Sequence, residues 1–400
     1  MIEGLFILGL VILVGFVGHL LYKTTKIPES VFLIIMGVLF GPVFGVVNGQ
    51  FFLDNASFFL SFALVLVLLN SGLSIDVEKT LKNAPLAFLF TLLVLVITTG
   101  IVTLVTTKLF GWPIINGIFL GVLGFGTELI AISDMMEKLR LGGNTKTLLI
   151  LESVINDVFL IISISILLAI TANTGIPLLR VVMNMFFLSI LLGILFAVTW
   201  IYLFVRHIHG NPLGYVFTLG AALVIYVAMD YFGFNGAICV LVFSIGLGNY
   251  RHFLKWFKNA DKLIPVEKDI IMVGGVNNQL TFLIRTLFFF FIGLIFDLST
   301  ISKELLFFVL LLTFMLVASR FLAGWVLSLI QPKFKESIPI LTVMAASGFV
   351  DTLLAIMVAR AGIAIPHLTE IILMVVIFTT VISVISVIAV GRHYANNRTY

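Results

Sequence analysis

Four polar residues, Glu152, Ser153, Asn156 and Asp157, lie inside an otherwise apolar stretch from Thr147 to Ile170. A carboxylate costs several kcal/mol at membrane depth, about 2.5 to 3.5 on insertion scales, so two within one candidate spanning helix point to function. At about 100° per residue, Ser153 and Asp157 stack on one face of a helix, and Glu152 and Asn156 stack on the adjoining one. The four form one polar wedge, suited to holding a small cation, relaying a proton, or both.

Other charges sit at comparable depth: Glu128 and Asp351 add carboxylates, Arg285 and Arg320 add guanidinium groups. Fully ionised, four acids and two bases leave a net negative charge in low dielectric, which calls for a cation or protons. A Glu152–arginine pair would offset much of the desolvation of both partners and leave exchange to Asp157. An acid that holds either a proton or a cation trades one for the other. Thr127, Ser153 and Glu128 can add the oxygen ligands that a hard cation prefers. The six histidines have no metal-ligand spacing, and the single cysteine, Cys239, supports neither a disulfide framework nor a thiolate metal cluster.

The elements that must position these residues follow from composition. Hydrophobic residues make up 61% of 400 positions, charged residues 10%, and mean hydropathy is +1.24. These values exclude a soluble globular or nucleic-acid-binding chain and specify an all-α polytopic membrane protein. Apolar stretches of about 20 residues, cut at Pro, Gly and charge clusters, predict thirteen spans: 4–22, 27–47, 56–75, 84–107, 113–137, 146–171, 177–205, 212–230, 234–250, 271–296, 304–330, 338–360 and 367–390. The first has no basic segment before it and no small-residue cleavage site, so it reads as a retained helix.

Charge asymmetry supports the odd number of spans. Of 23 Lys and Arg, 17 fall in the odd-numbered connections and the C-terminal tail, and four (Lys108, Arg180, Lys303, Arg360) on the opposite side. The positive-inside rule then places the N-terminus outside and the C-terminus in the cytoplasm. The basic segment Arg251 to Asp269, with Phe253, Trp256 and Phe257 among its lysines, fits an interfacial helix or a plain cytoplasmic connector, and carries no assigned site.

An internal similarity links spans 5 and 12. Gly124 to Ile132 reads GFGTELIAI and Gly348 to Ile356 reads GFVDTLLAI, each with a carboxylate beside a threonine. The two spans run in opposite directions, the relation that inverted repeats require, and such helices in transporters are often broken near the midplane. Gly121, Gly124 and Gly126 permit a break in span 5. Gly348 and the run Ala345-Ala346-Ser347 permit one in span 12.

The run LLILESVINDVFLI resembles the Glu-Ser-x-x-Asn-Asp signature of sodium/proton antiporters of the monovalent cation/proton antiporter superfamily, in particular its electroneutral NhaP-type branch. GTELIAI is similar to that branch's Thr-Asp-Pro helix break about 25 residues upstream. IPESVFLIIMGVLFGP, RTLFFFFIGLIFDL and VASRFLAGWVLSL resemble its second, tenth and eleventh helices in the family's order. The resemblance implies a secondary antiporter, not an enzyme, without cofactor and with Na⁺ and H⁺ as substrates, working in the cell membrane as a homodimer. It implies that Asp157 binds Na⁺ or a proton, with Glu128, Thr127 and Ser153 as further Na⁺ ligands. Glu152 and Arg320 would form a structural pair, and Asn156 would mark the electroneutral type. Asp351, Ser347 and Arg285 are secondary candidates. Two departures bear on selectivity: Glu128 and Leu129 replace the family's Asp and Pro, and Ser347 stands where many members carry a second Arg.

The same resemblance implies scaffold and dimerisation helices over 1–83 and 172–303, a core over 84–171 and 304–390, and a short cytoplasmic tail over 391–400. Exchange of K⁺ for H⁺ is the alternative within the superfamily. In another class, an intramembrane aspartyl protease would pair Asp157 with Asp351, but Gly348-Phe349-Val350 precedes Asp351 where that family carries Gly-x-Gly-Asp. A non-transporting sensor would be expected to carry an appended regulatory domain, whereas ten residues follow Val390.

Overall fold

A computed structural model describes the chain except residues 1, 26–28, 48–54, 76, 139–142, 173–182, 209, 252–262 and 398–400. The centre of the basic segment, with Phe253, Trp256 and Phe257, therefore lies outside the described residues. Among the described residues there is no strand, and each of the thirteen expected spans is a helix or a helix in two pieces. In chain order these are α1 (Ile2–Thr25), α2 (Glu29–Val38, continued by a π-helical turn Leu39–Val43), α3 (Ala56–Ser74) and α4 (Val77–Phe110). Next come α5a (Ile114–Gly124), α5b (Leu129–Lys138), α6 (Gly143–Thr171), α7 (Ser189–Leu203), α8 (Gly214–Tyr231) and α9 (Gly236–Gly248). The remainder are α10 (Leu263–Leu294), α11 (Lys303–Ile330), α12a (Ile338–Val343), α12b (Phe349–Arg360) and α13 (Leu368–Asn397).

Among the described residues, eight helices are long and apolar enough, by length and composition, to cross a membrane. The breaks in spans 5 and 12 lie among buried residues, where lipid does not demand full intrahelical hydrogen bonding. Several helices outrun their apolar windows. α10 starts at Leu263 and not near 271, and α13 continues to Asn397 through the expected tail, since polar flanks extend a helix once its apolar part has nucleated it.

The chain divides into two compact units. The second comprises 56–82 and 161–285. Here α9 is apolar around its whole circumference and packs on α3 and α7. A Cβ on Gly248 would lie 2.7 Å from the Leu73 carbonyl, so glycine sets how closely α9 and α3 approach. In the same unit, buried Asn277 accepts from Tyr215 Oη at 3.2 Å and donates to the Leu66 carbonyl at 3.2 Å, tying α10 to α8 and α3.

The first unit comprises 1–55, 83–160 and 286–400. The run Phe288 to Phe291 is buried here, a packing surface and not a lipid-facing one. Phe288 meets Phe349 edge to face at 4.7 Å between ring centroids. This contact holds the start of α12b against α10.

Candidate ion-binding site at two broken helices

Spans 5 and 12 are both interrupted. In span 5 the helix stops at Gly124, residues 125–128 are irregular, and α5b resumes at Leu129. In span 12 the helix stops at Val343, residues 344–348 are irregular, and α12b resumes at Phe349 after an extended Gly348. Aligned on the breaks, Glu128 corresponds to Gly348, because each immediately precedes its second half-helix. The nine-residue sequence match, which pairs Gly124 with Gly348, is displaced from this by about one helical turn. The letters coincide; the structural equivalence lies four residues on.

The two breaks touch. The Glu128 amide donates to the Ala346 carbonyl at 2.9 Å, so each interrupted backbone satisfies part of the other. A Cβ on Gly348 would stand 2.6 Å from Glu128 Cβ, and a Cβ on Gly126 would overlap Asp351 Oδ1. Only glycine fits at either place. Hydroxyls of α13 take up two amides of the second break: Ala345 N donates to Ser383 Oγ at 3.3 Å and Ser347 N to Thr379 Oγ1 at 3.2 Å. Asp351, in the first turn of α12b, accepts from the Gly348 amide through Oδ2 at 2.7 Å. Glu128 and Asp351 thus place carboxyl groups at the positive ends of the two second half-helices.

α6 brings its polar wedge to the span 5 break. Glu152 is fully buried and pairs with Arg320 of α11 in fork geometry, Nη1 to Oε1 at 3.0 Å and Nη2 to Oε2 at 3.3 Å. Arg320 also donates through Nε to the Leu341 carbonyl at 3.0 Å and lies over the Phe90 ring at 5.5 Å. Thr127 donates its hydroxyl proton to Glu152 at 3.3 Å and accepts from Asn156 Nδ2. A chain of contacts therefore runs from Arg320 through Glu152 and Thr127 to Asn156. A hydroxyl keeps a second lone pair, so Thr127 can still serve as a ligand. Ser153 is buried and donates to the Ile150 carbonyl at 3.0 Å, which leaves its acceptor side available.

Asp157 and Glu128 are half-buried, in contrast to Glu152, Ser153 and Asn156, which are enclosed. Asp351 and Ser347 are buried at the span 12 break. Arg285 is half-buried on α10 and belongs to the second unit, whereas the other site residues belong to the first. Three buried acceptors around the breaks have no hydrogen-bond partner: Asn156 Oδ1, Asp351 Oδ1 and Ser347 Oγ. No group of three His, Cys, Asp or Glu side chains converges on a metal position among the described residues.

Sequence reasoning did not single out several contributors. Thr379 and Ser383, four apart and so on one face of the last span, were a readable polar signal. Phe90 and the carbonyls of Leu341 and Ala346 carried none, because their roles come from where the fold leaves a backbone or ring face.

The family profile described as "Sodium/hydrogen exchanger, transmembrane" matches residues 9–392. Among solved structures, the fold is similar to that of the sodium proton antiporter MjNhaP1 from Methanocaldococcus jannaschii at pH 8, with TM-score 0.77 and 20% identity, covering 97% of this chain and 96% of that one. A second structure of the same antiporter, an electron-microscopy map, gives TM-score 0.70 and 18% identity, covering 99% and 96%. No curated protein matches the sequence.

Proposed function

Because the chain belongs to the sodium/hydrogen exchanger family, and is by that membership a cation/proton antiporter and not an enzyme, we propose that it exchanges Na⁺ or Li⁺ for H⁺, one for one. Cation and proton compete for Asp157. The observation that carries this reading is the division of labour along α6. Glu152, fully buried, is committed to Arg320, while Asp157, five residues on, is half-buried and one turn from the Ser153 hydroxyl. A guanidinium does not release its proton, and Asn156 does not titrate. Asp157 therefore carries the exchanged charge, with Glu128, Thr127 and Ser153 as further cation ligands.

In the proposed cycle the broken-helix core, 84–171 and 304–390, carries the occupied site between the two membrane faces against a dimeric scaffold. The N-terminus lies outside and the C-terminus in the cytoplasm. The two crossed breaks support this reading, since they place polar backbone and carboxyl groups inside an apolar bundle, as transporter sites require.

The test is reconstitution in proteoliposomes with Na⁺, Li⁺ and K⁺ added in turn while internal pH is followed. Na⁺ or Li⁺ should drive proton movement and Asp157→Asn should abolish it, with the variant still inserted and folded. Full exchange by Asp157→Asn refutes the assignment. Exchange with K⁺ alone moves the protein to the superfamily's alternative substrate. Steady current through turnover refutes one-for-one exchange.

A further inference from the structure

Asp351 does more at the span 12 break than a helix cap requires. Capping uses one oxygen, Oδ2, which takes the Gly348 amide; an asparagine or serine could do the same. The second oxygen, Oδ1, is buried, has no hydrogen-bond partner, and lies against Gly126 at a spot that any larger residue would fill. The next residue, Thr127, anchors Asn156 through Nδ2, and the amide oxygen of that fully buried side chain is also without a partner. Two unused acceptors thus lie beside consecutive residues of one helix break, one against Gly126 and one on a side chain hydrogen-bonded to Thr127. Glu128, the residue after them, lies against Gly348, whose amide Asp351 caps. Buried acceptors without donors are costly for a protein alone, and they are what a desolvated cation needs.

We propose that Asp351 is a further cation-binding carboxylate of this transporter, beyond Asp157 and Glu128, its Oδ1 joining Asn156 Oδ1 as ligands for the transported monovalent cation at the span 5 break. The proposal rests on the antiport reading for the identity of the cation and extends the ligand set from α5 and α6 to α12b.

The experiment uses the full chain, wild type and Asp351→Asn, which keeps an acceptor for Gly348 and removes the charge. Two quantities are measured: the Na⁺ concentration for half-maximal exchange in proteoliposomes, and the rise in melting temperature when NaCl replaces choline chloride in detergent. Asp351→Asn should raise the half-maximal Na⁺ concentration about tenfold or more, the scale of one lost charged contact. It should remove most of the Na⁺-dependent stabilisation while melting normally in choline. Asp351→Glu should recover part of that stabilisation. Asp351→Ser replaces Asp351→Asn if the latter fails to insert. Wild-type half-saturation and wild-type Na⁺ stabilisation in an inserted neutral variant overturn the proposal and leave Asp351 a cap. A wild type that exchanges none of Na⁺, Li⁺ and K⁺ refutes the antiport reading instead, and the melting arm still decides Asp351.

Discussion

Glu152 and Arg320 offer the most quantitative test of how the site is held together. Glu152 is 0% exposed and Arg320 2%, so a partner left behind by a neutral substitution cannot be rehydrated. Stranding one buried charge costs about 3 to 5 kcal/mol, and this is the loss expected for Glu152→Gln. Arg320→Met should cost more. Its Nε also satisfies the Leu341 carbonyl, whose usual amide partner four residues on, Ala345, is diverted to Ser383. Losing that bond leaves a buried acceptor orphaned, a further cost of about 1 to 3 kcal/mol. The double variant strands neither charge, and the glutamine side chain put in place of Glu152 would still accept from Thr127, so its loss should not exceed that of Arg320→Met alone. The coupling between the two sites is then about 3 kcal/mol or more. Reversible unfolding in detergent micelles titrated with a denaturing surfactant, followed by helical circular dichroism, gives the four free energies of the cycle. Additive losses would refute the pairing as an energetic unit, and equal losses from the two single variants would refute the role given to the Leu341 carbonyl.

Glu128→Gln should weaken apparent Na⁺ affinity in the liposome assay without abolishing exchange, because Thr127, Ser153 and Asp157 remain; complete loss would make Glu128 an exchanging acid. Gly348→Ala should destabilise the protein by about 1 to 3 kcal/mol, since its Cβ would stand 2.6 Å from Glu128 Cβ and 3.3 Å from Glu128 Cα; an unchanged melting temperature would show that the breaks can separate at no cost. Cysteines at Asn55 and Lys303 should label from outside the cell and one at Lys138 from inside, and labelling of Lys138 and Lys303 from the same face would refute the proposed orientation.

The spans were legible in the sequence because burial in lipid is paid for residue by residue: twenty apolar side chains in a row have few other uses, and glycines beside carboxylates mark where a helix can open. For the same reason Glu152, Asn156 and Asp157 declared themselves, as polar groups whose cost demands an account. What the chain alone could not show is which oxygens meet. The internal match pointed to the right pair of helices but in a register one turn away from the real breaks, since five shared letters in a small apolar alphabet record composition as much as geometry. That Asp351 touches Gly126, that Arg320 reaches the Leu341 carbonyl, and that Thr379 and Ser383 serve the second break all depend on contacts between residues far apart in sequence. Such contacts arise only when the two interrupted helices are brought together, because a backbone amide or carbonyl has no identity in the sequence until the fold removes its helical partner.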